Sequence, residues 1–85
     1  MKKTIEKIRH APAKIRIGKK GVTEGIIMEV ESLLKKEQAV KIKCLDVIPS
    51  SMIKNIASNI SNLTNSMIIE IRGKTFILYR SNRRM

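Results

Sequence analysis

Two glycines enclosing two lysines, Gly18-Lys19-Lys20-Gly21 in the stretch "IRIGKKGVTEG", carry the plainest chemistry in this sequence. A residue without a Cβ lets an anion approach the main chain closely. The amides at a helix start point toward such an anion, and the lysine side chains add attraction. The spacing suits the phosphates of a polyanion. Lys41 and Lys43 repeat the basic theme in "AVKIKCL". For bond-making chemistry the sequence offers nothing comparable: it has no carboxylate cluster, no histidine pair and no nucleophile with a base in reach. His10 is lone and reads as a loop residue near Pro12. Cys44 falls on the apolar side of its segment and reads as a core residue, and one cysteine allows neither an internal disulfide nor a cysteine metal cluster. A non-enzyme without metal or cofactor is expected.

The charge is large and unevenly placed. Over 85 residues, 18 Lys and Arg stand against 7 Asp and Glu, a formal net charge of +11. That excess points to a polyanionic partner. Residues 1–20 hold eight basic and one acidic side chain and residues 72–85 hold five basic and none acidic, whereas 21–71 hold five against six. A fold that joins the two ends would create one basic surface. The length predicts a single domain with little room for an enclosed active site. The opening "MKKTIEKIRHAP" has no apolar run after its basic start, so a secretory signal is not expected and a cytoplasmic location is; the sequence leaves the oligomeric state open, with a monomer as the simplest expectation.

The elements that must position these residues follow from periodicity. Ile5 and Ile8 have helical spacing and predict a short helix that precedes His10 and ends before Pro12. In "KIRI", Lys14 and Arg16 alternate with Ile15 and Ile17, as a half-buried strand requires. After Gly21 the period becomes helical through Val22, Ile26, Val30, Leu33 and Leu34, with Thr23 as cap, Glu24 in the first turn and Lys35 and Lys36 in the last. "AVKIKCL" reads as a second strand. "PSSMIKNIASNISNLTNS" is rich in Ser and Asn, yet Ile53, Ile56, Ala57, Ile60 and Leu63 keep the helical period, and Ser50 or Ser51 supplies the cap.

"MIIEIRGKTFILYR" predicts a hairpin whose two-residue turn, Gly73-Lys74, has glycine first, as a type II′ connection prefers. That turn pairs Arg72 with Thr75, Ile71 with Phe76 and Ile69 with Leu78, and on the other face Glu70 with Ile77 and Ile68 with Tyr79. The expected fold is an α+β two-layer sandwich, β-α-β-α-β-β, with a mixed four-stranded sheet, both long helices on one face and a short N-terminal helix ahead of it. The helices would cover Ile15, Ile17, Val40, Ile42, Ile69, Ile71, Phe76 and Leu78. Lys14, Arg16, Lys41, Lys43, Arg72 and Tyr79 would line the open face, provided the N-terminal segment does not fold across it. Side chains so exposed carry little packing energy, so Lys41 and Lys43 are expected to tolerate replacement together.

Two well-known phosphate motifs do not fit. The loop of a KH domain joins two helices, whereas "AKIRI" alternates as a strand, and "GKT" at 73–75 has Ile68 where a P-loop needs its first glycine. The whole arrangement instead resembles the CRM domain, the chloroplast RNA splicing and ribosome maturation module, from about residue 14 to residue 80. Two motifs carry the resemblance: the GxxG followed by a T-E-G helix start, Gly18 to Gly25, and the closing G-K-T-hydrophobic-hydrophobic-L-Y-R, Gly73 to Arg80. It implies a fold similar to the C-terminal domain of translation initiation factor three. It also implies RNA binding, with stand-alone YhbY-like members linked to precursors of the large ribosomal subunit and plant members to group II intron splicing.

The length suggests a stand-alone member. The expected RNA contacts are Gly18, Lys19, Lys20, Gly21, Lys14, Arg16, Lys41, Lys43, Arg72, Lys74, Tyr79 and Arg80, with ribosomal RNA or a pre-ribosomal particle as partner. The basic C-terminal "SNRRM" is expected to act as an arm that orders on RNA. An architectural DNA-binding protein, or an RNA-binding subunit in tRNA or intron processing, accounts for the same charge. Competition between duplex DNA and structured RNA would separate the first of these.

Overall fold

The computed structural model describes residues 2–81, so Arg83 and Arg84 of the expected basic arm lie outside the described residues. The elements run α1 (Lys2–His10), β1 (Ile15–Ile17), α2 (Glu24–Glu37), β2 (Ala39–Cys44), a short 3₁₀ turn (Ser50–Met52), α3 (Ile53–Thr64), β3 (Met67–Arg72) and β4 (Thr75–Tyr79). The four strands form one mixed sheet in the order β1-β2-β4-β3. β1 and β2 are parallel, and β4 lies antiparallel between β2 and β3. This is the expected α+β fold.

α2 and α3 bury one face of that sheet. Val30 and Leu34 of α2 and Ile53, Ile56, Ala57 and Ile60 of α3 close over Ile15, Ile17, Val40, Ile42, Phe76 and Leu78. Thr23 caps α2, its Oγ1 accepting from Ile26 N at 3.2 Å. α3 starts differently from expectation. The chain enters it through the 3₁₀ turn after Pro49, and neither serine makes a side-chain cap bond. At its other end Thr64 is buried, donating Oγ1 to Ile60 O at 2.7 Å, while Leu63 is 59 % exposed. At 100° per residue, position 64 falls closer to the Ile53–Ile60 line than position 63 does.

The hairpin keeps its predicted turn and loses its predicted register halfway along. Gly73 takes φ 57°, the positive value that a type II′ turn needs at its first position. Arg72 pairs with Thr75, Ile71 with Phe76 and Glu70 with Ile77, but then Ile68 pairs with Leu78 and Met67 with Tyr79. A bulge at Ile69 absorbs the extra residue. Ile68, not Ile69, therefore packs against the core, and Ile71, on the edge strand, is left 40 % exposed.

The larger departure concerns the face opposite α2 and α3. Ile77 alternates to that face and is yet only 1 % exposed. α1 lies across it. Lys41 Nζ donates to the Arg9 and Ala11 carbonyls, both at 2.9 Å, where a helix C-terminus leaves its oxygens without partners. Arg9 Nε sits 3.0 Å from Glu70 Oε1. The sheet is thus covered on both faces along the row Lys41–Ile77–Glu70, and the expectation of an entirely open face holds only beyond α1.

Candidate nucleic-acid interface

The backbone register aligns one row of residues across all four strands. Arg16 pairs with Lys43, Lys43 with Thr75, and Thr75 with Arg72. All four face away from α2 and α3, one row nearer the β1 C-terminus than the row α1 covers. Arg16, Lys43 and Arg72 are exposed and Thr75 half-buried. Three inter-strand steps of about 4.8 Å make this row roughly 14 Å long.

The Gly18–Gly21 loop and the Gly73–Lys74 turn meet at the same end of the sheet, because β1 and β2 finish where β4 begins. Main-chain bonds tie both sides to the end of β2: Leu45 N donates to Ile17 O, just ahead of the loop, at 2.8 Å, and Cys44 N to Lys74 O of the turn at 2.7 Å. Lys74 Nζ reaches Asp46 O at 3.1 Å. Lys19 and Lys20 occupy the loop tip and are exposed. Asp46 and Glu24 are the acidic side chains carried by the segments at this end, and both are exposed.

Each glycine of the loop has its own conformational reason. Gly21 N donates to Gly18 O at 2.8 Å, closing a four-residue turn, and Gly21 then takes φ 70°. A Cβ at Gly21 would meet nothing within 4 Å, so the main chain there stands open to an approaching group. At Gly18 a Cβ would lie 3.3 Å from Leu45 Cδ1, so that glycine permits close packing under the loop.

Of the residues expected to contact RNA, eight gather at this end: Arg16, Gly18, Lys19, Lys20, Gly21, Lys43, Arg72 and Lys74. The other four do not join them. Lys41 holds the end of α1. Lys14 Nζ bonds Glu37 Oε2 at 2.8 Å, and that hydrogen bond keeps the Glu37 carboxyl below the ordinary carboxylate range. Arg80 Nη1 pairs with Glu31 and donates to Thr64 O at 2.8 Å, tying β4 to α2 and α3. Tyr79, half-buried and paired with Ala39 and Met67, stands at the far end of the sheet. Cys44 is buried, and burial pushes its thiol up.

The cations thus fall into two groups. Among the described residues, ion pairs engage Arg9, Lys14 and Arg80, whereas Arg16, Lys19, Lys20, Lys43 and Arg72 are in none. Sequence reasoning missed Arg9, Glu70 and Lys41 as the attachments of α1. A signal for them existed in "FIL", Phe76 to Leu78, because three consecutive apolar residues in a strand require cover on both faces. The described residues contain no group of three or more His, Cys, Asp or Glu placed to hold a metal ion. No described helix is long and apolar enough to cross a membrane.

The sequence matches the family model described as the CRS1 / YhbY (CRM) domain over residues 1–80, a span that includes α1. It is similar to CRS2-associated factor 2, mitochondrial, of Oryza sativa subsp. japonica, with 35 % identity over 78 residues, covering 89 % of this chain and 21 % of that protein. The Arabidopsis thaliana protein of the same name is also 35 % identical over 78 residues, covering 89 % of this chain and 22 % of its own length. CRS2-associated factor 1, mitochondrial, of Oryza sativa subsp. japonica is 32 % identical over 66 residues, or 78 % of this chain and 15 % of that protein. The chain thus spans between 15 % and 22 % of the length of these relatives. The solution structure of a hypothetical Staphylococcus aureus protein, described as a candidate RNA-binding protein, superposes with a TM-score of 0.77 at 20 % identity, covering 98 % of this chain and 85 % of that one. That likeness shows the fold.

Proposed function

Because the chain belongs to the CRS1 / YhbY (CRM) domain family, we propose that it is an RNA-binding module whose site is the loop end of the sheet. The observation that carries this reading is the meeting of Lys19 and Lys20 with the row Arg16–Lys43–Arg72 at one end, where these cations are in no ion pair. Unpaired exposed cations in a row bind phosphates and release counterions, and they recognise shape rather than base sequence. The RNA we propose is structured ribosomal RNA in an assembling large subunit, the target that the YhbY-like resemblance implies. We read the protein as a binding module, not an enzyme, since its site brings together cations and open main chain, and the carboxylates at that end, Asp46 and Glu24, belong to no cluster of such groups among the described residues.

Replacing Lys19 and Lys20 by Ala tests the loop. Affinity should fall on every structured RNA tried, and the log–log salt slope should shrink by up to about 1.4–1.8, at roughly 0.7–0.9 per lost contact. A parent slope near zero would refute electrostatic binding. An unchanged slope in the variant would remove the loop from the site.

Gly21 offers a sharper comparison, because Asn and Asp both tolerate positive φ and differ there in charge. Gly21→Asn and Gly21→Asp should melt within a few degrees of each other. If a phosphate lies against the open main chain, the Asp variant should bind on the order of tenfold more weakly, about 1.4 kcal/mol for one charge contact turned to repulsion. Equal affinities at the same salt would leave Gly21 a purely conformational residue.

A further inference from the structure

Beside the basic loop lies an apolar groove that phosphate binding does not use. It has a volume of about 210 Å³ and runs between Gly18–Gly21 and the segment from Val47 to Met52. Ile48 and Ile56, both almost fully buried, form part of its lining, and Val47 and Met52, 64 % and 47 % exposed, are its apolar walls. Pro49 completes the rim. The apolar lining thus directly adjoins the basic loop, whose Gly18, Lys19 and Gly21 form its other edge.

The occupant must suit both halves of the place. One side is apolar and small, below the roughly 300–1,000 Å³ of pockets that enclose drug-sized ligands. The other side is a pair of lysines and a main chain open at Gly21. A nucleotide joins a flat, weakly hydrated base to an anionic phosphate, and it matches that pairing. An apolar peptide segment would fill the groove and leave Lys19 and Lys20 without complement.

We infer that the groove takes one unpaired nucleobase, while its own phosphate or the next lies on the Gly18–Gly21 loop. This rests on the RNA-binding reading above and deepens it: the protein prefers RNA in which a loop or bulge offers a base outside the helix. In paired RNA the base faces are stacked and cannot enter, so duplex engages only the cations. Specificity for base identity is weak, because the groove walls present methyl, methylene and thioether groups and no fixed hydrogen-bond pattern.

The test uses two RNAs of equal length, a hairpin with a single-stranded loop and a continuous duplex, with the double variant Val47→Asn/Met52→Gln. Both side chains are exposed and neither replacement changes charge, so circular dichroism melting should match the parent. Relative to the parent, the variant should bind the hairpin about tenfold more weakly, in the range of a lost base contact, and the duplex within twofold. A 2-aminopurine in the hairpin loop should change its emission on binding the parent and not on binding the variant. Equal loss on both RNAs, or no loss on either, overturns the inference. A parent that binds both RNAs equally, with a steep salt slope, leaves the RNA-binding reading standing and removes only the base site. A parent that binds neither RNA refutes both.

Discussion

Changing Lys43 and Arg72 together to glutamate should weaken binding to structured RNA by on the order of 10²-fold at about 0.15 M salt. Both side chains belong to the cross-sheet row and neither is in an ion pair. Losing two phosphate contacts takes about 1.4–1.8 from the salt slope, worth roughly 15- to 30-fold at that salt, and two added negative charges then repel the same phosphates. Stability should change little, since exposed side chains away from packed features shift it by about 0.5 kcal/mol or less. A titration of fluorescent RNA at two salt concentrations reads both effects. Parent-like affinity in a well-folded variant would exclude the row from the interface.

Two residues away on the same strand, the same replacement should have a different outcome. Lys41→Glu should lower the melting temperature by about 10–20 °C, because each kilocalorie per mole moves a domain of this size by about 4–8 °C. Lys41 Nζ bonds two carbonyls at the end of α1. Hydrogen bonds to a charged group contribute about 1.5–3 kcal/mol, and a carboxylate in that place would face two carbonyl oxygens on the same side of the sheet as Glu70. Lys41→Met keeps the aliphatic stem and loses only the bonds, so its melting point should fall between those of Lys41→Glu and the parent. Unchanged melting of both variants would show that α1 is not held through Lys41.

The contrast between Lys41 and Lys43 marks what the sequence could reveal. Alternation placed both lysines on the face away from α2 and α3, and the register bears that out. It could not show that α1 returns over one of them, because cover by a distant segment leaves the period unchanged. The trace lay elsewhere, in the unbroken apolar run from Phe76 to Leu78, where Ile77 needed a partner on the second face. The bulge at Ile69 was hidden for a related reason. Met67, Ile68 and Ile69 are all apolar, so nothing in their pattern chooses which of the two isoleucines turns inward. In α3, Thr64 takes the inward place expected of Leu63, because helical angle rather than hydrophobicity sets which residue faces the sheet. A threonine that bonds its own Ile60 carbonyl can be buried as well as a leucine.

For the loop the two levels agree on position and divide on cause. Glycines at 18 and 21 were readable as a place for close approach. The structure shows different neighbours for the two, Leu45 against Gly18 and open space at Gly21. Arg80 and Lys14 are indistinguishable by type and by sequence position from the cations that gather at the loop end of the sheet. Only the fold shows them turned to Glu31 and Glu37.

The central claim, that RNA binds at the end of the sheet where the loop, the cross-strand row and the hairpin turn meet, is tested most directly by titrating structured RNA into isotope-labelled protein and following each backbone amide by NMR. The amides of residues 16–21, 43–48 and 72–75 should shift progressively while those of α1, Lys14, Tyr79 and Arg80 stay in place. Shifts concentrated on α1 and the Tyr79 end, with the Gly18–Gly21 amides unmoved, would contradict it.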